Sequence, residues 1–529
     1  MRRFSSYGPI DTELQYYVPR QALIQSGCSY LLGDDPQKGG NYITVWAPRQ
    51  SGKTWIMQQV RLRLSQNDAF EVGIINLQSA RNADTEAEVL DILVARLASW
   101  FQRDFPDVDS WQHLSKLFTT DYFSKPIILI IDEFDALGED FIRSCVTEFR
   151  SMYISRQNEP ERLTGEKGSL LHGLALIGVR SVLGVDNQSG SPFNIQRSLY
   201  IPNLTHEEVS QMFRWYERES SQSIAQDVID TIFFETRGQP GLVGWFGELL
   251  TETYNHDREQ PITLENLGTV LRWAADGLGN NNIANIISKA DQEPYRHFVL
   301  NLFQTDTKTD FKFDNPLVNF LYLNGIIDID DSGQALSARF SSPFVQKRLF
   351  NRYADQLFGQ ESRLYDPFDD LADVVTAQRL DIKNLMGRYE RYIQQNRERL
   401  FAGAPRRKTD LRIYEAVYHF HLFTYLDRFF EPFSCKVWPE FPTGNGKIDL
   451  FIDFDGTVYG LEVKSFATRW DYQQALIQAA EYGSQMKLTH ISLIYFIEEI
   501  DNANRQEFEA AYVDPATGVT VTPIFVTIG

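Results

Sequence analysis

The sequence predicts a multidomain α/β protein, and three local patterns carry that prediction. The first is Ala47-Pro-Arg-Gln-Ser-Gly-Lys-Thr54. It lies between a β-rich run at 43–46 and a stretch at 55–64 with helical spacing of apolar residues. The second is Pro126-Ile-Ile-Leu-Ile-Ile-Asp-Glu133, five consecutive apolar residues ending in two acids, which reads as a strand buried on both faces. The third is a pair of strand-like runs, 447–454 and 457–464, on either side of Asp455-Gly456, a strong two-residue hairpin signal. At 529 residues the chain exceeds a single core. Its 43% hydrophobic and 23% charged residues are those of an ordinary globular protein.

A loop between strand and helix aims backbone N–H groups and a helix N-terminus at an anion. Ala47, Pro48, Arg49, Gln50, Ser51, Gly52, Lys53 and Thr54 are therefore candidate nucleotide-binding residues. Lys53 can reach the β- and γ-phosphates of ATP, and the Thr54 hydroxyl can ligate Mg²⁺. The loop departs from G-x-x-x-x-G-K-[ST] only at Ala47. Asp132 is placed to hold Mg²⁺ through water, and Glu133 to orient or deprotonate the attacking water. Further parallel strands are expected at 72–77 and 174–179, with a helix at 86–101. Arg180 and Ser181 follow the second of these strands, where a polar side chain could sense the γ-phosphate. Arg197 could reach a phosphate in this or a neighbouring subunit, and either arginine could instead be a surface ion-pair residue. Thr205 with Glu208 has the pattern of a capping box. A helical lid to about residue 275 follows, containing Arg237-Gly-Gln-Pro-Gly241.

Residues 14–250 resemble the AAA-like ATPases close to the STAND group. The matching pieces are Tyr17-Val-Pro-Arg20, the 48–54 loop, the Asp132-Glu133 strand, Ser191-Pro-Phe-Asn194 and Gly238-Gln-Pro240. The resemblance implies a P-loop NTPase sheet with a helical lid, and a place near the adenine for Tyr17 and Arg20. Residues 295–350 read as helix, helix, hairpin, helix. They resemble the winged-helix unit that follows the ATPase core in related families. The hairpin turn is acidic, which favours a packing or lid-relay role over DNA reading.

In the third pattern the Asp-Gly turn sets the register, so Phe454 faces Thr457 and Asp449 lies across from Glu462. Such partners have Cβ atoms about 4.5–5.5 Å apart, close enough to share one divalent cation. Lys464 lies two residues on and shares the face of Glu462. Leu450, Ile452, Phe454, Leu461 and Val463 fall on the opposite, core face. Mg²⁺ suits oxygen ligands; it would polarise a phosphate and activate water while Lys464 positions the nucleophile or offsets charge. The pattern resembles the PD-(D/E)XK nuclease superfamily, with a restriction-endonuclease-like α/β domain. The resemblance adds Glu415, on a helix read as 410–420, as the acid of the first core helix. It also adds Gln478-Ala-Ala-Glu-Tyr482 on the helix after the hairpin, and a strand at 491–496. Pro442-Thr-Gly-Asn-Gly stands where a Pro-Asp pair names the superfamily. ATPase, winged helix and nuclease occur together in a family of predicted prokaryotic AAA-ATPases, whose context implies defence against foreign DNA.

The net charge of −20 excludes a generic nucleic-acid coat. One stretch runs against it: Lys383, Arg388, Arg391, Arg397, Arg399, Arg406, Arg407, Lys408 and Arg412 face only Glu390, Glu398 and Asp410. It reads either as a solvated helix face with a linker or as a DNA-backbone contact. Cys28, Cys145 and Cys435 match no metal spacing and fit a reducing cytoplasm. No signal peptide or membrane-spanning run is expected. The expected modules are an ATPase core (1–205), lid (206–280), winged-helix-like module (281–355), helical basic linker (356–409) and nuclease-like domain (410–529). The expected function is a nucleotide-controlled, Mg²⁺-dependent DNA endonuclease, with a homo-oligomer or partner protein as further partners. The rivals are a STAND-like signalling or DNA-binding ATPase that binds without cleaving, and an enzyme acting on RNA.

Overall fold

The computed structural model describes residues 1–8, 10–178, 197–303, 309–333, 335–359, 364, 370–376, 379–407, 413–433, 435–440, 448–465 and 469–529, without the side chains of 415, 440, 448, 449, 465 and 470. The chain forms two compact units, one of Met1–Val270 with Phe313–Gly325 and one of Leu271–Lys312 with Ile326–Gly529.

The first unit holds strands β1 (Tyr42–Trp46), β2 (Glu71–Asn76), β3 (Ile127–Asp132), β4 (Leu171–Gly178) and β5 (Ser198–Tyr200). They form one sheet in the order β2-β3-β4-β1-β5, and every pairing is parallel. All residues of β3 and β4 are buried, which is why both read as near-continuous apolar runs. Helices cover both faces. Val89, Leu93 and Phe149 belong to one apolar cluster, and Ile24, Met57 and Val60 to the other. The helix Glu86–Phe101 runs over the predicted residues because Thr85 caps it, accepting from the Glu88 amide. The segment expected as a lid, and called the lid below, forms helices His206–Ser220, Gln226–Thr236, Pro240–Glu248, a π-helical continuation Leu249–Tyr254, and Leu264–Arg272. The capping box forms as read: the Glu208 amide donates to Thr205 Oγ1 at 3.2 Å, and the Thr205 amide to Glu208 at 2.9 Å.

The helix Pro316–Leu323 belongs to the first unit. The antiparallel hairpin β6 (Ile327–Asp330) and β7 (Ser337–Phe340) belongs to the second, as do helices Tyr295–Leu302 and Pro343–Phe358. The C-terminal strands are β8 (Cys435–Glu440), β9 (Ile448–Phe454), β10 (Thr457–Ser465), β11 (His490–Ile497), β12 (Tyr512–Val513) and β13 (Thr520–Thr527). They make a mixed sheet in the order β12-β13-β11-β10-β9-β8. Helix Arg469–Gln485 covers one face, where Ala479 and Ala480 join Ile491 and Leu493 in a buried cluster. Helices Ile382–Phe401 and Glu415–Phe430 cover the other, where Tyr389 and Tyr418 pack on Phe496. The Ile382–Phe401 helix buries Leu385, Met386, Tyr389 and Ile393. Its charges are partly neutralised: Lys383 pairs with Glu509 at 2.9 Å, and Arg388 with Asp373 at 2.5 Å. Among the described residues no helix is long and apolar enough to cross a membrane.

A buried polar network fastens β4 to its surroundings. His172 is fully buried. It shares a 2.7 Å bond with Thr164 Oγ1 and a 3.1 Å bond with the Leu32 carbonyl. Arg156 donates to Thr164 at 2.6 Å. Burial, with the Arg156 guanidinium beside it, pushes His172 down to about 4 from its ordinary 6.5. The folded state therefore keeps the ring neutral where the unfolded chain would protonate it. This stabilisation is complete above pH 6.5 and is lost as pH falls from 6.5 towards 4; the shift corresponds to about 3 kcal/mol. Urea unfolding followed over that range should show His172→Gln losing less stability on acidification than the wild type, by about that amount.

Candidate functional site

The loop at 47–52 leaves the C-terminal end of β1 and enters the helix Lys53–Leu64. Gly52, with φ 87°, adopts a left-handed conformation that suits glycine. Ala47 has no positive φ and is fully buried, so the position of the missing first glycine accepts an L-residue here. Among the described residues no side chain caps the helix start, and its first-turn amides are available to an anion. Ser51 Oγ is buried and lacks a hydrogen-bond partner among the described residues.

Because β4 lies between β1 and β3, the loop and the acidic strand end share one edge without being neighbours in the sheet. Thr54 spans the gap and donates to Asp132 Oδ2 at 2.9 Å. Asp132 Oδ1 accepts the Glu133 amide at 2.9 Å. Burial holds the Asp132 carboxyl above its ordinary range, although Thr54 and the Glu133 amide pull the other way. Burial, reinforced by Asp135 and Asp132, also raises Glu133. A hydroxyl and an acidic oxygen this close form a donor pair suited to Mg²⁺. Lys53 Nζ donates to the Ala47 and Pro48 carbonyls, both at 2.8 Å. Burial lowers its pKa to about 8 against the attraction of Asp135, Glu133 and Asp132. An added phosphate would favour the charged lysine.

The preceding segment packs beside this loop. The Tyr17 ring lies 5.5 Å from Trp55 and 5.4 Å from Trp215 of the lid. Arg20 is committed to the lid entrance: it donates to the Pro202 and Asn203 carbonyls at 2.8 and 3.2 Å and pairs with Glu208 at 3.3 Å. Arg180, Ser181 and Ser191–Asn194 lie outside the described residues. Arg197 pairs with Asp34 at 3.3 Å. It precedes Ser198, which pairs with Thr44, and so lies towards the end of β1 remote from the loop. Residue spacing did not reveal the grip of Gln239 on the loop: its Nε2 donates to the Arg49 and Gln50 carbonyls at 2.9 and 3.2 Å. The available signal was Gly241, one residue after Pro240.

The second constellation follows the predicted register. Phe454 pairs with Thr457, and Asp449 with Glu462. Asp455 and Gly456 have φ of 48° and 79°, which fits the two-residue turn. The same edge brings Glu440 opposite Asp449. Glu462 and Lys464 point to the face covered by Arg469–Gln485, not to open solvent, and both are buried. Lys464 Nζ lies 3.0 Å from Glu462 Oε1 and donates to Gln478 Oε1 at 3.2 Å. Tyr482, one turn on, packs on Phe451. Leu450, Ile452, Leu461 and Val463 are buried, while Phe454 at the turn is only half-buried.

The helix expected from Asp410 begins instead at Glu415. Ile413 bridges Arg406, and Tyr414 is extended at the N-cap. Glu415 thus opens the helix rather than lying within it. The side chains of Glu415 and Asp449 are outside the described residues. Among the described residues no three His, Cys, Asp or Glu side chains cluster as a metal site. Glu462 Oε2 is nevertheless buried without a hydrogen-bond partner among the described residues, an acceptor that fits a hard cation.

Removing one member of a buried ion pair leaves the other uncompensated. Lys464→Ala should therefore destabilise the protein by roughly 3 kcal/mol in urea unfolding. The double variant Lys464→Met with Glu462→Leu should recover most of that loss.

The five-stranded parallel sheet, with its loop between β1 and the next helix, fits the P-loop NTPase α/β fold. The C-terminal mixed sheet is a separate architecture. Neither a protein-family model nor a curated protein matches the chain. Among solved structures, the Walker-type ATPase of Pyrococcus abyssi gives a TM-score of 0.41 at 13% identity, covering 65% of this chain and 98% of that one. Cdc6p of Pyrobaculum aerophilum gives 0.37 at 12%, covering 63% and 92%. The RuvB Holliday junction branch migration motor of Thermotoga maritima gives 0.33 at 12%, covering 60% and 92%. Scores and identities this low carry no argument about what the chain does.

Proposed function

We propose that this chain is a P-loop ATPase whose nucleotide state controls a Mg²⁺-dependent DNA endonuclease site in its second unit, acting in the cytoplasm. The bond between Thr54 and Asp132 at 2.9 Å is the observation that carries the ATPase half. It brings a metal-ligating hydroxyl and an acid together beside a helix start able to receive phosphate. In this reading Lys53 exchanges its loop carbonyls for the β- and γ-phosphates, and Glu133 orients the attacking water. Tyr17 lies beside the base, and Arg20 supports it from the lid entrance.

The nuclease half rests on Glu462, Lys464 and Gln478 beside the register partner Asp449. Asp449 and Glu462 hold Mg²⁺, with Glu415 as the acid of the neighbouring helix. Lys464, oriented by Gln478, offsets charge on the scissile phosphate. The proposed modules keep the bounds 1–205, 206–280, 281–355, 356–409 and 410–529. A second reading, nucleic-acid binding without cleavage, is favoured by one observation. Lys464 is buried against its own carboxylate, an arrangement that neutralises charge as readily as it positions a nucleophile.

Plasmid nicking with Mg²⁺ and ATP separates the readings. The wild type should nick, and Glu462→Gln, which keeps the shape of the site, should lower the rate at least a hundredfold. Lys53→Ala should abolish nucleotide binding and remove the ATP dependence. Glu133→Gln should still bind ATP but not turn it over. If the wild type never nicks DNA, whatever the nucleotide, the cleavage reading falls and binding alone stands. Nicking that responds to ATP equally in Lys53→Ala would remove the proposed control.

A further inference from the structure

Gln239 serves two elements at once. Its Oε1 accepts the Leu242 amide at 2.5 Å and caps the lid helix Pro240–Glu248. Its Nε2 donates to the Arg49 and Gln50 carbonyls at 2.9 and 3.2 Å. The Gly241 amide adds a 3.0 Å bond to the same Gln50 carbonyl. This approach requires a glycine, since a Cβ at Gly241 would run into the Gln50 side chain. Gln50 itself has φ 55°, a left-handed conformation that a residue with a side chain holds only when its surroundings impose it.

Peptide planarity turns these contacts into a statement about the cradle. Across a trans peptide the C=O of one residue and the N–H of the next point in opposite directions. Drawing the Arg49 and Gln50 carbonyls towards the lid therefore turns the Gln50 and Ser51 amides away from it. That is the set of donors a phosphate needs on the inner side of the loop.

We propose that Gln239 is a positioning residue that holds the loop in its phosphate-receiving conformation from the lid. The inference rests on the nucleotide-binding reading above. Lid docking and phosphate affinity are then one equilibrium: a lid helix that loses its grip also loses the aligned amides. The group that Gln239 helps to recognise is the polyphosphate, not the base.

Gln239→Glu tests this, because the carboxylate keeps the acceptor that caps the helix and removes both donated bonds. Losing those bonds should weaken ATP binding about tenfold. The KM for ATP should rise by that factor while kcat at saturation stays within about twofold. Inorganic tripolyphosphate, used as a competitor, should lose affinity in parallel. Far-UV circular dichroism and thermal melting establish that the variant is folded, and Gln239→Asn, too short to reach both carbonyls, provides an independent second variant. Wild-type affinity for ATP and tripolyphosphate in both variants would overturn the inference and leave the ATPase reading intact. Loss of ATP affinity with tripolyphosphate unaffected would also overturn it, by pointing to the base. A wild-type protein that binds no nucleotide would remove both the inference and the reading beneath it.

Discussion

The bond from Thr54 to Asp132 is the constraint on which the first unit's chemistry depends. The sheet places β4 between β1 and β3, so no backbone ladder joins the loop to the acidic strand end. A side-chain bond of 2.9 Å closes that gap, and it does so at a buried carboxylate. The parallel register makes this possible, because every strand ends at the same edge. The neighbouring charges follow from it. Asp135, Glu133 and Asp132 attract the half-buried Lys53 and offset the cost of desolvating its ammonium.

The second unit meets the same difficulty differently. Glu462 and Lys464 sit two residues apart on one strand, and so on one face, under a helix that removes water from both. Each is the other's main compensation, with Gln478 Oε1 accepting a further hydrogen bond from the lysine. The remaining carboxylate oxygen, Oε2, has no hydrogen-bond partner among the described residues. A buried carboxylate left in that state is costly unless a cation completes it. Stability and candidate chemistry therefore bear on the same atoms, and variants there need both readouts.

Between the loop and the lid the controlling contacts are made by backbone carbonyls. Lys53 occupies those of Ala47 and Pro48. Gln239 and Gly241 occupy those of Arg49 and Gln50. Four carbonyls of the loop are thus engaged, two by its own lysine and two from the helix beginning at Pro240. Arg20 joins the same arrangement from the segment before β1, holding the lid entrance at Pro202, Asn203 and Glu208.

Local interactions were legible in the residues themselves. The Asp455-Gly456 turn dictated the pairing of Asp449 with Glu462, because a two-residue loop leaves one register and a one-step slip would reverse every side chain. Thr205 with Glu208 announced a helix start for the same reason, since both partners lie within one turn. The helix read from Asp410 starts at Glu415, because Ile413 is bridged to Arg406 and Tyr414 is extended. The sequence by itself determined where the 47–54 loop and the strand ending at Asp132 lie and how the hairpin pairs. Only the tertiary structure decided that Arg20 is engaged by the lid, that the face of Glu462 is covered, and that Gln239 grips the loop. Those contacts join residues separated by tens to hundreds of positions, and no local periodicity encodes which distant carbonyl a side chain will meet.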